Sequence, residues 1–240
     1  MSRHEETVEE HLLSSKPPRV AAIVPMRHSS ERVPGKNYRD FAGRPLYQRI
    51  VQSLVESGVA DEIVIDTDSE LIQEQCRESL PEVKLLARPE HLRAGDTPMN
   101  EVLLDTVKRV DADYYLQTHS TNPLLRPDTI RDAVQTFLDR IPMYDSLFTV
   151  TRLQTRLWDG LVRPVNHNPA FLLRTQDLPP IYEENSCLYL FTEATLRSDR
   201  NRIGARPLMW EIPEEEAQDI DEEIDFRVAE LLFKQREGIS

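Results

Sequence analysis

Short apolar runs of strand length recur along this chain, and stretches with helical periodicity lie between them. Residues 19–25 are apolar at successive positions (Val20, Ala21, Ala22, Ile23, Val24), so both faces of a strand there would be covered. Pro45 then opens a helix with Leu46, Ile50, Leu54 and Val55 at helical spacing, ending near Gly58. Residues 62–66 read as a second buried strand, and Thr67-Asp68-Ser69 as the cap of a helix over 70–78. The pattern continues with a strand at 83–87, a helix at 99–110, a strand at 114–117, a helix at 128–139 and a strand at 146–151. Later strands are expected near 188–190 and 208–212, and a closing helix over about 225–235 with Asp225 as its cap. Such alternation predicts an α/β, Rossmann-like fold, a three-layer α/β/α arrangement around a mostly parallel sheet.

The chain has 240 residues, 39 % of them hydrophobic, which suffices for one domain over 19–240. Residues 1–18 read as a polar, acidic N-terminal tail ending at Lys16-Pro17-Pro18, and the proline-punctuated stretch 152–185 as an excursion or dimer arm. A net charge of −13 argues against a nucleic-acid partner, which would need a basic surface. No apolar run approaches the ~20 residues of a membrane span, and the N-terminus has no apolar signal region. The two cysteines, Cys76 and Cys187, fit neither a disulfide framework nor a metal spacing and read as buried thiols. A cytoplasmic protein is expected.

Two clusters carry chemistry. Residues 26–37 follow the first strand, where parallel sheets bind phosphates, and hold Arg27, Arg32 and Lys36 beside one acid, Glu31. With only Gly35 the loop is neither a P-loop nor a dinucleotide fingerprint, so a solvated turn and a phosphate grip both fit it. Asp219 and Asp221 are two apart, which turns both carboxylates to one side of an extended segment and suits Mg²⁺. An acid-rich helix start is the other reading, because Glu214, Glu215, Glu216, Glu222 and Glu223 crowd the same region.

The run Val24-Pro25-Met26-Arg27, then Glu31-Arg32-Val33-Pro34-Gly35-Lys36-Asn37 and Phe41-Ala42-Gly43-Arg44-Pro45-Leu46, resembles the signature loop of the acylneuraminate cytidylyltransferase family. Arg27, Ser30, Pro34, Lys36 and Asn37 match, while Glu31 stands where that family usually has Lys. Further matches follow in order: Asp66-Thr67-Asp68-Ser69-Glu70, Arg88-Pro89-Glu90-His91-Leu92 with Asp96-Thr97, Ser120-Thr121-Asn122-Pro123-Leu124, and Asp219-Ile220-Asp221 with Asp225-Phe226.

The resemblance implies a fold of the nucleotide-diphospho-sugar transferase type and transfer of CMP from CTP to the anomeric hydroxyl of an acidic, sialic acid-like sugar, releasing pyrophosphate. It assigns catalysis to Arg27, Lys36 and Asp221, and nucleotide binding to Arg27, Ser30, Lys36, Asn37 and Arg88. It assigns Mg²⁺ to Asp219 and Asp221, and implies a homodimer with 152–185 as the exchanged arm. On the sugar side it points to His119, with Gln117 instead if two residues are inserted, and to Asn122, Asn185 and Tyr189. Glu183 lies where the family has an Arg; Arg152, Arg156 and Arg174 are candidate replacements, and Trp158 a candidate pocket wall. These departures keep two alternatives open. One is a different acceptor, such as another 3-deoxy-ulosonic acid or a phosphonate; the other is a catalytically silent nucleotide-binding protein.

Overall fold

A computed structural model describes residues 16–239, so the expected N-terminal tail lies outside the described residues except for its last three positions. Strand β1 (Val20–Met26) is buried at every position. It pairs in parallel with β4 (Glu62–Thr67) on one side and β6 (Tyr114–Thr118) on the other. Between β1 and β4 the chain makes a small hairpin of β2 (Asp40–Phe41) and β3 (Arg44–Pro45), then helix α1 (Leu46–Ser57). Gly58 closes that helix at φ 68°, a left-handed conformation that glycine adopts without steric cost. Helix α2 (Glu70–Ser79) starts as expected: the Ser69 side chain accepts from the Ile72 N–H.

The remaining elements are β5 (Lys84–Ala87), α3 (Met99–Thr106), α4 (Pro127–Leu138), β7 (Ser146–Leu153), β8 (Ile181–Phe191), α5 (Glu193–Asp199), β9 (Pro207–Glu211) and α6 (Glu223–Glu237). The seven-stranded sheet runs β5-β4-β1-β6-β8-β7-β9. Only β8 runs against its neighbours, so the sheet is mostly parallel. Alternation along β1 builds the layers. Val20, Ala22, Val24 and Met26 pack toward α1, α2 and α4, and Ala21 and Ile23 toward α3 and α5. A third, smaller cluster joins Val33, Phe41 and Leu46 to Ile220, Phe226 and Phe233, fixing α6 against the loop that follows β1.

Several elements differ from the expectation. Helix α3 stops at Thr106 rather than 110, and Val107 and Val110 enter the core from turns beyond it. Glu222 is the N-cap of α6, with Asp225 completing a capping box three residues on. Helix α5, capped by Thr192, carries no strong periodic signal in its seven residues. The excursion is shorter than 152–185: Arg152 and Leu153 pair with Tyr182 and Ile181, so only residues 154–180 leave the sheet.

Candidate active site

The carboxyl ends of β1, β5 and β6 open onto a cleft of about 470 Å³. Arg27, Ser30 and Lys36 line it from the β1 loop, with Arg88 beneath and His119 on the far wall. The chain shapes this loop by local means. Gly35 stands at φ 68° and leads into a single 3-10 turn, Lys36–Tyr38. Val33 is buried and anchors the loop from inside. The Asn37 amide donates to the Arg27 carbonyl at 2.7 Å and accepts from the Ser120 hydroxyl at 2.7 Å. Asn37 thus ties the β1 loop to the β6 loop at the cleft wall. The His28 N–H donates to Asp68 at 2.7 Å, which ties the same loop to the end of β4.

Lys36 reaches across to the acidic segment, its ammonium donating to the Ile220 carbonyl at 2.5 Å. Ile220 is fully buried, and its N–H donates to the Thr121 carbonyl at 3.1 Å, so the segment is docked by its apolar residue. Asp219 and Asp221 flank it, as an extended segment with one inward residue requires. Burial pushes the Lys36 ammonium below its ordinary pKa, against the attraction of Asp219 and Asp221. Burial, with the neighbouring Asp221 charge, raises the Asp219 carboxyl, against a hydrogen bond from Thr121 and the charge of Lys36. One Asp219 oxygen is buried without a hydrogen-bond partner, while Asp221 accepts from Arg32 at 2.5 Å. Among the described residues no three metal-ligating side chains gather in one place. Neither Asp219 nor Asp221 lines the cleft, but their two carboxylates, one with an oxygen that has no hydrogen-bond partner, could hold a cation. That suits Mg²⁺, which fills its other positions with water and substrate phosphate.

Arg88 is 3 % exposed and its guanidinium is already held. Its Nε donates to Asp66 at 2.6 Å and a terminal nitrogen to the Asp66 carbonyl at 3.1 Å. Arg109 reaches the other Asp66 oxygen at 3.1 Å, and the Thr106 hydroxyl donates there at 3.2 Å. Asp66 is completely buried, so the two guanidinium groups balance its charge. The sequence reading missed this network: Asp66 looked like the end of an apolar strand.

A family model described as cytidylyltransferase matches residues 21–230. The chain belongs to the cytidylyltransferase family. Among curated relatives of this family chain, an N-acylneuraminate cytidylyltransferase A of Danio rerio is 27 % identical, over 88 % of the chain and 50 % of the relative. A CMP-N,N'-diacetyllegionaminic acid synthase of Legionella pneumophila is 27 % identical, over 90 % of the chain and 97 % of the relative. A pseudaminic acid cytidylyltransferase of Campylobacter jejuni is 24 % identical, over 88 % and 95 %. The chain spans about half the length of several N-acylneuraminate cytidylyltransferases it matches, and nearly all of the legionaminic and pseudaminic acid proteins. A solved CMP:2-keto-3-deoxy-manno-octonic acid synthetase, complexed with CTP, shares the fold. It superposes at TM-score 0.66 with 14 % identity, over 91 % of this chain and 99 % of that one.

In this cytidylyltransferase-family chain the residues expected on the sugar side divide. His119 lines the cleft; Asn122, Asn185 and Tyr189 stand outside its lining. Asn122 is buried, and its amide has no hydrogen-bond partner. Asn185 spans a bulge between β7 and β8, accepting from the Thr149 hydroxyl at 2.7 Å and donating to the Thr151 hydroxyl at 3.0 Å. The Tyr189 hydroxyl donates to Glu184, with Ser186 at 3.1 Å. Arg156 and Arg174 serve the excursion internally, on the Leu173 carbonyl and Asp177 respectively, and Arg152 borders a separate shallow cleft. Trp158 is half exposed and packs edge-on to His167. Gln117, the alternative to His119, is fully buried beneath it: its amide contacts the His119 Nε2 at 2.8 Å and its oxygen accepts from Arg202 at 2.7 Å. With that oxygen engaged, the amide nitrogen faces His119, which assigns the imidazole proton to Nδ1. The His119 pKa is pushed down to about 3, first by burial and then by Arg202 and Lys36. His119 is therefore a neutral hydrogen-bonding group at neutral pH.

Proposed function

We propose that this chain transfers CMP from CTP to the anomeric hydroxyl of an acidic sugar, releasing pyrophosphate. The observation that carries the reading is that Lys36, which lines the strand-end cleft, also meets the Asp219/Asp221 segment, in a chain matched by the cytidylyltransferase family model over residues 21–230. Relatives named for sialic, legionaminic and pseudaminic acids support a nonulosonate acceptor.

In this reading Arg27 and Lys36 neutralise phosphate charge, Ser30 and Asn37 hold the loop and nucleotide, and Arg88 supports the base pocket from beneath. The acceptor hydroxyl attacks the α-phosphorus and gives up its proton to solvent, the bond to the β-phosphate oxygen breaks, and pyrophosphate leaves. Catalysis is then mainly orientation and charge stabilisation in a preorganised cleft. Asp219 and Asp221 would hold Mg²⁺, which supplies further neutralisation of charge on the α-phosphate and the leaving group. The neutral His119 orients the acceptor rather than serving as a base at neutral pH.

A homodimer is part of the proposal. The excursion carries exposed large apolar side chains, among them Phe171 at 70 % and Leu172 at 86 % exposure, and such a surface suits a partner copy. The net charge of −13 leaves nucleic acid out of the reading, and two free buried thiols fit a reducing, cytoplasmic setting. The test is incubation with CTP, Mg²⁺ and a panel of sialic, legionaminic, pseudaminic and 3-deoxy-ulosonic acids and phosphonates, with products read by mass spectrometry. A CMP adduct of a nonulosonate supports the reading. An adduct only with another acceptor class moves the substrate, and CTP binding with no adduct supports a silent binding protein.

A further inference from the structure

A second cleft, of about 610 Å³, lies between α1, the start of α4 and the end of α6, and it shares no lining residue with the strand-end cleft. Four arginines line it: Arg49 from α1, Arg126 and Arg131 at the start of α4, and Arg236 from α6. Only three carboxylates, Glu56, Asp128 and Glu237, line it with them, so it is locally cationic in a chain of net charge −13. Arg126 pairs with Glu215 at 2.7 Å, Arg131 with Asp128 at 2.5 Å and Arg236 with Glu237 at 3.0 Å. Arg49 is the exception. It is 8 % exposed, and no carboxylate lies within 4.0 Å of its guanidinium among the described residues. Its Nε and Nη2 donate to the Phe41 carbonyl at 3.2 and 2.9 Å, and Nη2 also to the Ala42 carbonyl, which leaves Nη1 without a hydrogen bond among the described residues. Arg49 and Arg236 lie over one ring, 4.4 and 5.2 Å from the Phe233 centroid, so two like charges share an aromatic face. Burial, with Arg44 nearby, holds the Arg49 guanidinium below its ordinary pKa, against the pull of Asp40 and Glu237.

A buried guanidinium without a counter-ion is stabilised by any anion that reaches it. Several cations on one concave wall also raise the local concentration of anions. The flat edge of a carboxylate suits one guanidinium fork, whereas the three free oxygens of a phosphate group suit several at once. The strand-end cleft, with Arg27, Arg32, Lys36 and Arg88 against Glu31, holds the same number of cations. We propose that the cleft between α1, α4 and α6 is a second binding site, for a small phosphate-bearing anion held by Arg49, Arg131 and Arg236. Two of these arginines also brace the catalytic side of the molecule. Arg236 donates to the Leu124 carbonyl at 2.8 Å, in the loop after β6, and Arg49 holds the hairpin that follows the Lys36 loop. An occupant therefore touches side chains that hold two segments flanking the strand-end cleft.

The probes are inorganic phosphate, pyrophosphate and CMP, each titrated by calorimetry into Lys36→Ala protein, whose strand-end cleft has lost a phosphate-binding cation. The expected result is a Kd of about 1 mM or tighter for at least one probe, and the tightest probe names the source of the phosphate group. Adding Arg131→Gln and Arg236→Gln should raise that Kd by about tenfold or more, through the loss of charge-assisted contacts. Binding of none of the probes overturns the site, and so does binding that the two added substitutions leave unchanged. If the protein with those substitutions fails to fold, Gln52→Glu carries the test. Gln52 lines the cleft and its amide donates only to Glu56, so this change adds a negative charge while every arginine contact stays in place. It should weaken binding by about threefold or more, and an unchanged Kd overturns the assignment. No arm reads turnover, so a failure of cytidylyl transfer and a failure of this site are separate results.

Discussion

The Lys36 ammonium donates to the carbonyl of Ile220, joining residues 184 positions apart in the sequence. This bond brings the cationic loop after β1 to the segment that carries Asp219 and Asp221. On the proposed reading the phosphate-binding and metal-holding groups thereby lie next to one another, and removing either should cost far more turnover than stability.

Lys36→Ala and Asp221→Ala are therefore expected to lower pyrophosphate release by about a hundredfold or more, the scale seen when a charge-stabilising group is removed. Both variants should keep a cooperative thermal transition near that of wild type. Near-wild-type turnover in either variant contradicts the assignment.

Asp66 is different in kind. It is wholly buried between Arg88 and Arg109, and Asp66→Asn would leave guanidinium charge uncompensated in the interior. Loss of one member of such a buried pair costs about 3–5 kcal/mol. Urea denaturation should show that loss, and a change within 1 kcal/mol would mean that solvent already reaches Arg88.

Gly35→Ala tests the backbone of the phosphate loop. An alanine Cβ would meet the Tyr38 ring at 2.9 Å, and the left-handed φ of 68° itself costs about 1–2 kcal/mol for a residue with a side chain. Reduced CTP affinity, read by titration calorimetry, is expected with the fold retained. Unchanged affinity would separate the loop from nucleotide binding.

The elements of the sheet were legible because β1, β4 and β6 are buried on both faces, which leaves continuous apolar runs. The outer half of β8 was not. Tyr182, Glu183 and Glu184 are polar and exposed, and this stretch is a strand because it pairs with β7. Residue type and spacing singled out the charged loop and the Asp219/Asp221 pair but left a solvated turn and an acidic helix start open as well; only the family resemblance pointed them to phosphate and metal. The partners of Asp66 and Arg202 could not be read from the sequence, because Arg88 and Gln117 lie 22 and 85 positions from them and only the fold brings them together.

His119 gives stability a pH signature. Its folded pKa of about 3 lies below the ordinary imidazole value of 6.5, so the unfolded chain binds the proton more readily. The stability tied to the neutral ring is complete above pH 6.5 and is lost as pH falls from there toward 3. His119→Gln should flatten the decline between pH 7 and 5 by on the order of 1 kcal/mol, discounted for the ring edge that faces the open cleft. Parallel wild-type and variant curves in urea titrations would show that the ring is solvated.

The apolar excursion predicts association. Phe171→Asp combined with Leu172→Asp should shift sedimentation from dimer to monomer without lowering the melting temperature of the sheet domain. A wild-type monomer at micromolar concentration would contradict the homodimer.

The central claim is tested most directly by pyrophosphate release from CTP, ATP, GTP and UTP, each with and without an acidic nonulosonate and Mg²⁺. Release with CTP alone among the nucleotides, dependent on both acceptor and metal, is the predicted result. Release that ignores the acceptor, or no release with any nucleotide, would contradict it.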